Sequence, residues 1–342
     1  MFMKKVLVGM SGGVDSSVSA LLLKKDGYEV VGATMVLFDT DINQNVIDAK
    51  KVCDLLNIEH HVIDLKKEFK EHVIDNFINC YKNGETPNPC IECNRYLKFG
   101  ALYDKARELG CDYIATGHYA RIKDNKLYRA NAIEKDQTYF LYKIKKDVLS
   151  HIIFPLEKYD NKEEIRKIAR DNNLCVSEKK DSQEICFVPN DDYANYLNKN
   201  LDKLPDQGDF VLKDGTKIGK HKGIIYYTIG QRKGLGISYV KPLYVIEINK
   251  ANNTVVLGDE SDLYSKSLIA TNINLLVDNL PDKMMAKIRY RSILANCSVV
   301  INNDEMIVTF DEPQKSITLG QSVVLYDNDV CLGGGIIKSV NR

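Results

Sequence analysis

Residues 9–17, Gly9-Met10-Ser11-Gly12-Gly13-Val14-Asp15-Ser16-Ser17, sit between two apolar stretches of different period, and that junction constrains the fold more than any other part of the chain. Upstream, Lys5 to Met10 reads as a buried parallel strand; downstream, Val18, Leu21, Leu22 and Leu23 give a helix. A glycine-rich turn from strand to helix is a pyrophosphate cradle. Gly12 and Gly13 let the backbone approach an anion, Ser16 and Ser17 add hydroxyls, and the free amides of the first helical turn point at the same spot. No lysine follows the glycines, so the GxxxxGKS/T loop does not apply, and GxGxxG is absent. The plain alternative is a Ser/Gly linker that only starts a helix.

In this context the SGGVDS stretch resembles the PP-loop superfamily of ATP pyrophosphatases, which split ATP between its alpha and beta phosphates to adenylate a substrate. The rest of residues 1–120 fits such a domain. Strands are expected at Tyr28 to Phe38, Ile58 to Leu65 and Asp112 to Thr116, with helices through Val46 to Leu56 and from Leu97 to Leu109. This alternation implies a parallel sheet with helices on both faces and a ligand at the carboxyl ends of its strands, where Gly12, the tip after Phe38 and Gly117 converge. A helix from Asp160 to Asn173 has Asp160 or Asn161 as its cap, Glu163 and Glu164 in its first turn, and Ile165, Ile168 and Ala169 facing inward. Turn chemistry around Pro189 and Pro205 marks a boundary near residue 200, beyond which helical periodicity fades. A hairpin over 243–258 and strands at 284–292, 297–302, 305–310, 322–326 and 330–338 predict a small barrel, with a bulge at Gly333 to Gly335. The expected division is 1–200, 201–262 and 263–342: a parallel-sheet α/β domain, a small mixed middle domain and an all-β barrel.

At 342 residues the chain is long for one core. Neither an apolar run of membrane-spanning length nor a cleavable leader is visible, so the expectation is a cytoplasmic protein with no membrane partner. Its 47 basic and 47 acidic residues cancel, so any surface for nucleic acid must be local. Lys217, Lys220, Lys222, Arg232, Lys233 and Lys241 form one local excess with no acid among them, and Lys283, Lys287, Arg289 and Arg291 alternate along an expected strand. Solvated faces are the plain reading of both.

Nine cysteines, an odd number over a long chain, do not resemble a secreted disulfide framework. Cys90 and Cys93 lie in Thr86-Pro87-Asn88-Pro89-Cys90-Ile91-Glu92-Cys93-Asn94, where two prolines are expected to block a helix before Cys90. At or near a helix start, a Cys93 thiolate would be stabilised by the amides there; a packed cysteine pair or a zinc site are the alternatives. Cys186, in Lys179-Lys180-Asp181-Ser182-Gln183-Glu184-Ile185-Cys186-Phe187, has two lysines upstream that favour a thiolate, or is a core residue between Ile and Phe. Cysteines 53, 80, 111, 175, 297 and 331 are expected to be packing residues.

Several segments, matching together and in order, are similar to the tRNA-specific 2-thiouridylase family: GMSGGVDSS at 9–17, TPNPCIECN at 86–94, ATGHYA at 115–120, KDQTYFLY at 135–142, KKDSQEICF at 179–187, YTIGQRKGLGI at 227–237 and VCLGGGII at 330–337. They span nearly the whole chain. The resemblance implies an adenine nucleotide alpha hydrolase-like first domain and ATP-dependent exchange of oxygen for sulfur at carbon 2 of the wobble uridine in the tRNA anticodon region. DNA is not an expected partner. It implies a persulfide on Cys186, supplied by a sulfur donor or relay protein, Cys93 as its partner, and a Cys93–Cys186 disulfide closing each turnover. It further implies ATP contacts from Gly9, Met10, Ser11, Gly12, Gly13, Val14, Asp15, Ser16, Met35 and Gly117, with Mg2+ accompanying the triphosphate. Asn88, Pro89 and Cys90 would face the flipped base, and His118, Lys135, Asp136, Gln137, Arg289, Tyr290 and Gln321 would touch tRNA. His118 could instead merely hold the ATP site.

The chain departs from the family pattern at Cys90, where many members have an aspartate. Cys90, Cys93 and Cys186 could then ligate an iron–sulfur cluster of the 4Fe-4S type, an alternative route to the same product. An amide-forming PP-loop synthetase and a non-catalytic RNA-binding protein that keeps its ATP loop are the rival functions.

Overall fold

A computed structural model of the chain describes residues 3–39, 43–179, 185–201 and 203–341. Its centre is strand β1 (Lys5–Gly9), whose Val6, Leu7 and Val8 are fully buried. An unbroken apolar run is what a parallel strand covered on both faces requires. Parallel pairing places β1 between β2 (Glu29–Val36) and β4 (Tyr113–Ala115), with β3 (Glu59–Asp64) and the short β7 (Ile152–Ile153) outermost, in the order β3-β2-β1-β4-β7. Strand order reverses between β1 and β4. The crevice at their carboxyl ends is the point where such sheets bind ligands.

Helix α1 (Val14–Lys25) and α2 (Gln44–Leu56) pack on this sheet, α2 capped by Asn43. Two long helical runs follow. The first, α3 (66–82), contains a wider π-helical turn at Lys70–Ile74; the second, α4 (89–108), contains one at Cys93–Ala101. No helix was expected at α3, because the wide turn breaks the 3.6-residue period. The start of α4 corrects a second expectation: the helix begins at Pro89, since proline at the first helical position gives up only an amide that has no partner there. Cys90 therefore lies in the first turn and Cys93 a turn further in. The helix α5 (Lys162–Asp171) is capped by Asn161, which accepts from the Glu164 amide at 3.0 Å. Helix α6 (Tyr193–Asn200) completes this part of the chain.

The middle sheet has the order β10-β11-β8-β9, from β8 (Gly208–Leu212), β9 (Lys217–His221), β10 (Tyr244–Asn249) and β11 (Thr254–Gly258). Phe210, Val245, Val255 and Leu257 pack in one cluster with Phe77 of α3, Leu97 of α4 and Phe187.

Strands β12 (Tyr264–Leu275), β15 (Glu305–Lys315), β14 (Ala295–Asn302), β13 (Met284–Lys287), β16 (Ser322–Asp327) and β17 (Val330–Asn341) pair in that order, and β17 returns to β12, closing an antiparallel barrel. Register shifts beside Gly333, whose φ is +126°, form the expected bulge. The strand expected over 284–292 ends at Lys287, so Arg289, Tyr290 and Arg291 occupy a turn. The same β17 also pairs with β6 (Lys126–Tyr128) of the hairpin β5 (Arg121–Lys123)–β6, joining the barrel to the first domain through ladder hydrogen bonds.

A buried ion pair ties α4 to the segment after it: Lys143 Nζ lies 2.6 Å from Glu92 Oε1, with side chains 1% and 11% exposed. Breaking it leaves an uncompensated buried charge. Lys143→Met is expected to lower the unfolding free energy by about 3–5 kcal/mol, read from the denaturant midpoint.

Candidate active site

The turn after β1 is built as a cradle. Gly13 precedes α1 without offering a side-chain cap, so the first amides of the helix are left to an external acceptor. Ser16 Oγ accepts from the Ser11 amide at 3.1 Å and Ser17 Oγ donates to the Gly13 carbonyl at 2.8 Å, so the hydroxyls hold the turn itself. Gly12 has φ +68°, and a Cβ there would lie 2.5 Å from the Asn45 carbonyl oxygen. A Cβ on Gly117, in the loop after β4, would lie 2.9 Å from the backbone of Asp15 and Ser16. Both glycines make room for backbone: Gly117 lets the loop after β4 close on the start of α1, and Gly12 lets the start of α2 close on the turn after β1. Met35 is half-buried near the carboxyl end of β2, opposite Ile63.

Asp15 positions this loop. Its Oδ2 lies 2.6 Å from Lys162 Nζ, and its Oδ1 accepts from Tyr119 at 3.1 Å. Lys179, expected beside Cys186 as an activating cation, instead donates to the Gly12 carbonyl at 3.0 Å, Asn45 Oδ1 at 3.0 Å and Asp48 Oδ2 at 2.8 Å. Against the cost of burial, Lys179 and Gln44 hold the Asp48 carboxyl below its ordinary value. Lys180 to Glu184 lie outside the described residues.

Beyond the cradle stand the cysteines. Phe187 is buried among Phe69, Phe77 and Tyr196, with ring centroids 5.2–5.5 Å apart, and this anchor presents Cys186 at the surface. Cys93 packs, half-buried, against the same cluster. Cys186 lies within electrostatic reach of Cys93, Cys90 and Lys98, so the structure brings together the three cysteines singled out from the sequence. Cys186 is exposed in area yet crowded by protein around its sulfur, and desolvation, then the neighbouring thiols, push it up to about 12. Burial also raises Cys93 and Cys90, opposed in both by Lys98. The expected helix-start and lysine stabilisation of a thiolate is thus outweighed by desolvation. Among the described residues no three His, Cys, Asp or Glu side chains are grouped so that they could hold a metal ion. Of the cysteines expected to be packing residues, Cys53, Cys111, Cys297 and Cys331 are buried, while Cys175 is exposed and packs in no core.

Lys98 was not foreseen. It follows Cys93 by one turn of the π-helical stretch, which brings the two to one face. Its ammonium donates to His118 Nε2 at 3.3 Å, and His118 Nδ1–H donates to Thr116 Oγ1 at 2.8 Å. Burial, and then Lys98, drive the His118 pKa well below the ordinary value, so the ring is neutral. His118, expected at the RNA, is buried with both nitrogens bonded, which fits its alternative role of holding the nucleotide side of the site.

The other expected RNA contacts divide. Asp136 is 2% exposed and accepts from the amides of Ala130 and Thr138, from the Thr138 hydroxyl and from Arg129, so it is an internal scaffold and not a surface group. Gln137 Oε1 accepts from the Tyr119 amide at 2.9 Å, and Lys135 is exposed. Tyr290 packs on Phe140, centroids 4.4 Å apart, and brings exposed Arg289 beside that segment. Gln321 donates to the Thr86 carbonyl at 2.9 Å and to the Pro87 carbonyl at 3.3 Å. In the basic stretch 217–241, Lys217 and Lys220 both pair with Asp209, which they pull down to about 2, and Lys241 pairs with Asp259. Three of those six cations are thus paired, by two acids that lie outside the stretch.

A family model described as a tRNA methyl transferase HUP domain matches residues 4–190, a tRNA methyl transferase PRC-barrel domain matches 194–259, and an aminomethyltransferase beta-barrel domain matches 265–337. Full-length relatives decide which group-transfer family this is. The tRNA-specific 2-thiouridylase of Clostridioides difficile is 48% identical, covering 99% of each chain, and that of Clostridium tetani is 49% identical, covering 98% of this chain and 97% of the relative. The chain belongs to the tRNA-specific 2-thiouridylase family. A solved 4-thiouridine synthetase–RNA complex with bound ATP shares 19% identity at a TM-score of 0.38, covering 57% of this chain and 50% of that one, too distant a likeness to build on. No helix among the described residues is long and apolar enough to cross a membrane.

Because the pKa values of the cysteines lie high, alkylation of Cys93 and Cys186 by a neutral haloacetamide is expected to rise about tenfold per pH unit between about pH 7 and 9, without a plateau. Lys98→Gln removes a charge that lowers the Cys93 pKa, so Cys93 should react more slowly at each pH; peptide mass spectrometry reads both rates.

Proposed function

We propose that this member of the family uses ATP to adenylate the 2-oxygen of the wobble uridine in tRNA and replaces it with sulfur from a persulfide on Cys186. The observation that carries the reading is that Cys93 packs on the aromatic cluster anchored by Phe187, the residue next to Cys186, and that Cys186 lies within electrostatic reach of Cys93. Uracil oxygen attacks the alpha phosphorus and pyrophosphate leaves; the first amides of α1 are aimed to hold those phosphates. The outer sulfur of the Cys186 persulfide then attacks carbon 2, and AMP leaves with the original oxygen. The Cys93 thiolate attacks the Cys186 sulfur, which releases 2-thiouridine and leaves a Cys93–Cys186 disulfide for an external reductant.

Gly9 to Ser16, Met35 and Gly117 form the nucleotide site in this reading, with Asp15 acting through Lys162 and Tyr119 to hold the loop. Mg2+ would enter with the triphosphate. Asn88, Pro89 and Cys90 border the flipped base, while Lys135, Gln137, Arg289 and Tyr290 grip the RNA from one neighbourhood. The units at 1–200, 201–262 and 263–342 divide the labour between chemistry and grip. A persulfide-carrying donor protein supplies sulfur.

Incubation with ATP, a persulfide donor and unmodified tRNA, followed by digestion, is expected to yield 2-thiouridine by mass. Cys93→Ser and Cys186→Ser should each abolish it, and activity surviving in both would overturn the mechanism. Gly117→Ala forces a Cβ into the backbone of Asp15 and Ser16. It should slow tRNA-dependent pyrophosphate release on the order of tenfold, equivalent to ~1.4 kcal/mol, in a protein whose far-UV spectrum is unchanged.

A further inference from the structure

The segment before Cys90 cannot hold itself in place. Pro87 and Pro89 lack amide hydrogens, so residues 86–90 offer few donors of their own, and the carbonyls of Thr86 and Pro87 precede the helix. Donors and acceptors come from one corner of the barrel instead. The Leu319 carbonyl accepts from the Thr86 amide at 2.8 Å, and the single side-chain amide of Gln321 donates to both Thr86 and Pro87. Between them Gly320 has φ +84°, and a Cβ there would come within 2.9 Å of the Glu85 Cβ and 3.0 Å of the Thr86 amide nitrogen.

The next residue holds the other side. The Ser322 carbonyl accepts from Tyr139 at 2.9 Å, and its hydroxyl is 2.9 Å from that of Tyr142, both tyrosines fully buried. In that same stretch the Phe140 carbonyl accepts from Asn94 Nδ2 at 3.0 Å, and Lys143 binds Glu92. Four consecutive barrel residues, Leu319 to Ser322, thus brace the cysteine segment, directly ahead of Cys90 and indirectly on both neighbours of Cys93. Gln321 is itself anchored, its carbonyl accepting from the Ile337 amide at 2.8 Å.

We propose that Gln321 is a positioning residue for the cysteine segment, and that the barrel corner around it sets the reach of the Cys93 sulfur. The barrel is then part of the sulfur-transfer machinery as well as a surface for RNA. This rests on the reading of Cys93 as the resolving thiol. Only a donor pair at the end of a long side chain spans both carbonyls; asparagine, one methylene shorter, reaches one at most.

The test is a graded series, Gln321→Asn and Gln321→Met, in the full chain. For Gln321→Met the kcat of thiolation should fall at least about tenfold, over and above any change in the KM for tRNA, and Gln321→Asn should fall between. Pyrophosphate release should persist in both, outrunning thiolation. A raised KM with unchanged kcat would make Gln321 an RNA contact and overturn the proposal. Alkylation of Cys93, followed by peptide mapping without tRNA or ATP, is the arm that does not depend on what the protein thiolates. A loosened segment should change its rate by at least about threefold relative to the unaltered protein, and an equal rate overturns the positioning role whatever the reaction is. If the unaltered protein makes no 2-thiouridine, the functional reading fails while this arm still decides the positioning. A Met variant that does not fold leaves the decision to the Asn variant, which keeps a donor.

Discussion

An uncapped helix start at a reversal of strand order is the constraint on which the rest of the molecule depends. The first amides of α1 have no side-chain cap, and the loop after β4 is pressed onto the start of that helix. Gly117 allows that contact, Gly12 lets α2 approach the same turn, and Asp15, Lys162 and Tyr119 lock it. Through Lys179 the same loop reaches the strand of chain that leads to Cys186. The turn after β1 and the cysteine segment therefore share one scaffold, with Lys98, His118 and Thr116 linking α4 to the end of β4.

The thiols are poised against spontaneous reaction. Their surroundings favour the neutral form, and Lys98 is the cation that works against this in all three. Thiols held in the neutral form are less nucleophilic and less readily oxidised than thiolates, so this group of cysteines is quiet at rest.

Much of this was legible in the sequence where a periodic pattern met a local signal. The β1 to α1 junction, the Asn161 cap, the hairpin turned before Thr254 and the bulge at Gly333 follow from residue type and spacing. Failures arose where the deciding partner is brought up by the fold of a loop or the pairing of two strands, which residue type and spacing do not announce. Asp136 reads as a surface acid beside Lys135 until Arg129 and Thr138 fold over it, and Lys217 and Lys220 read as a free basic patch until Asp209 pairs with both. Helix α3 was hidden by its π-helical turn, and Lys98 by the same device, since five-residue spacing places nothing on one face of an ordinary helix. Pro89 misled in another way: a residue that breaks helices inside them opens them at the first position.

The pairing of β17 with β6 carries a consequence for how the chain matures. Leu127 and Cys331 stand opposite each other, though most of the chain separates them. Contacts so distant in sequence form late, after the local hairpins and helices. During synthesis the nucleotide-binding sheet can be complete while the barrel is still emerging from the ribosome, and at that stage neither β17 nor the corner at Gln321 is present to brace the cysteine segment. Ordering of the segment that carries Cys90 and Cys93 is thereby coupled to completion of the protein, and an unfinished chain would hold a folded β1–α1 turn while its cysteine segment still lacked a brace.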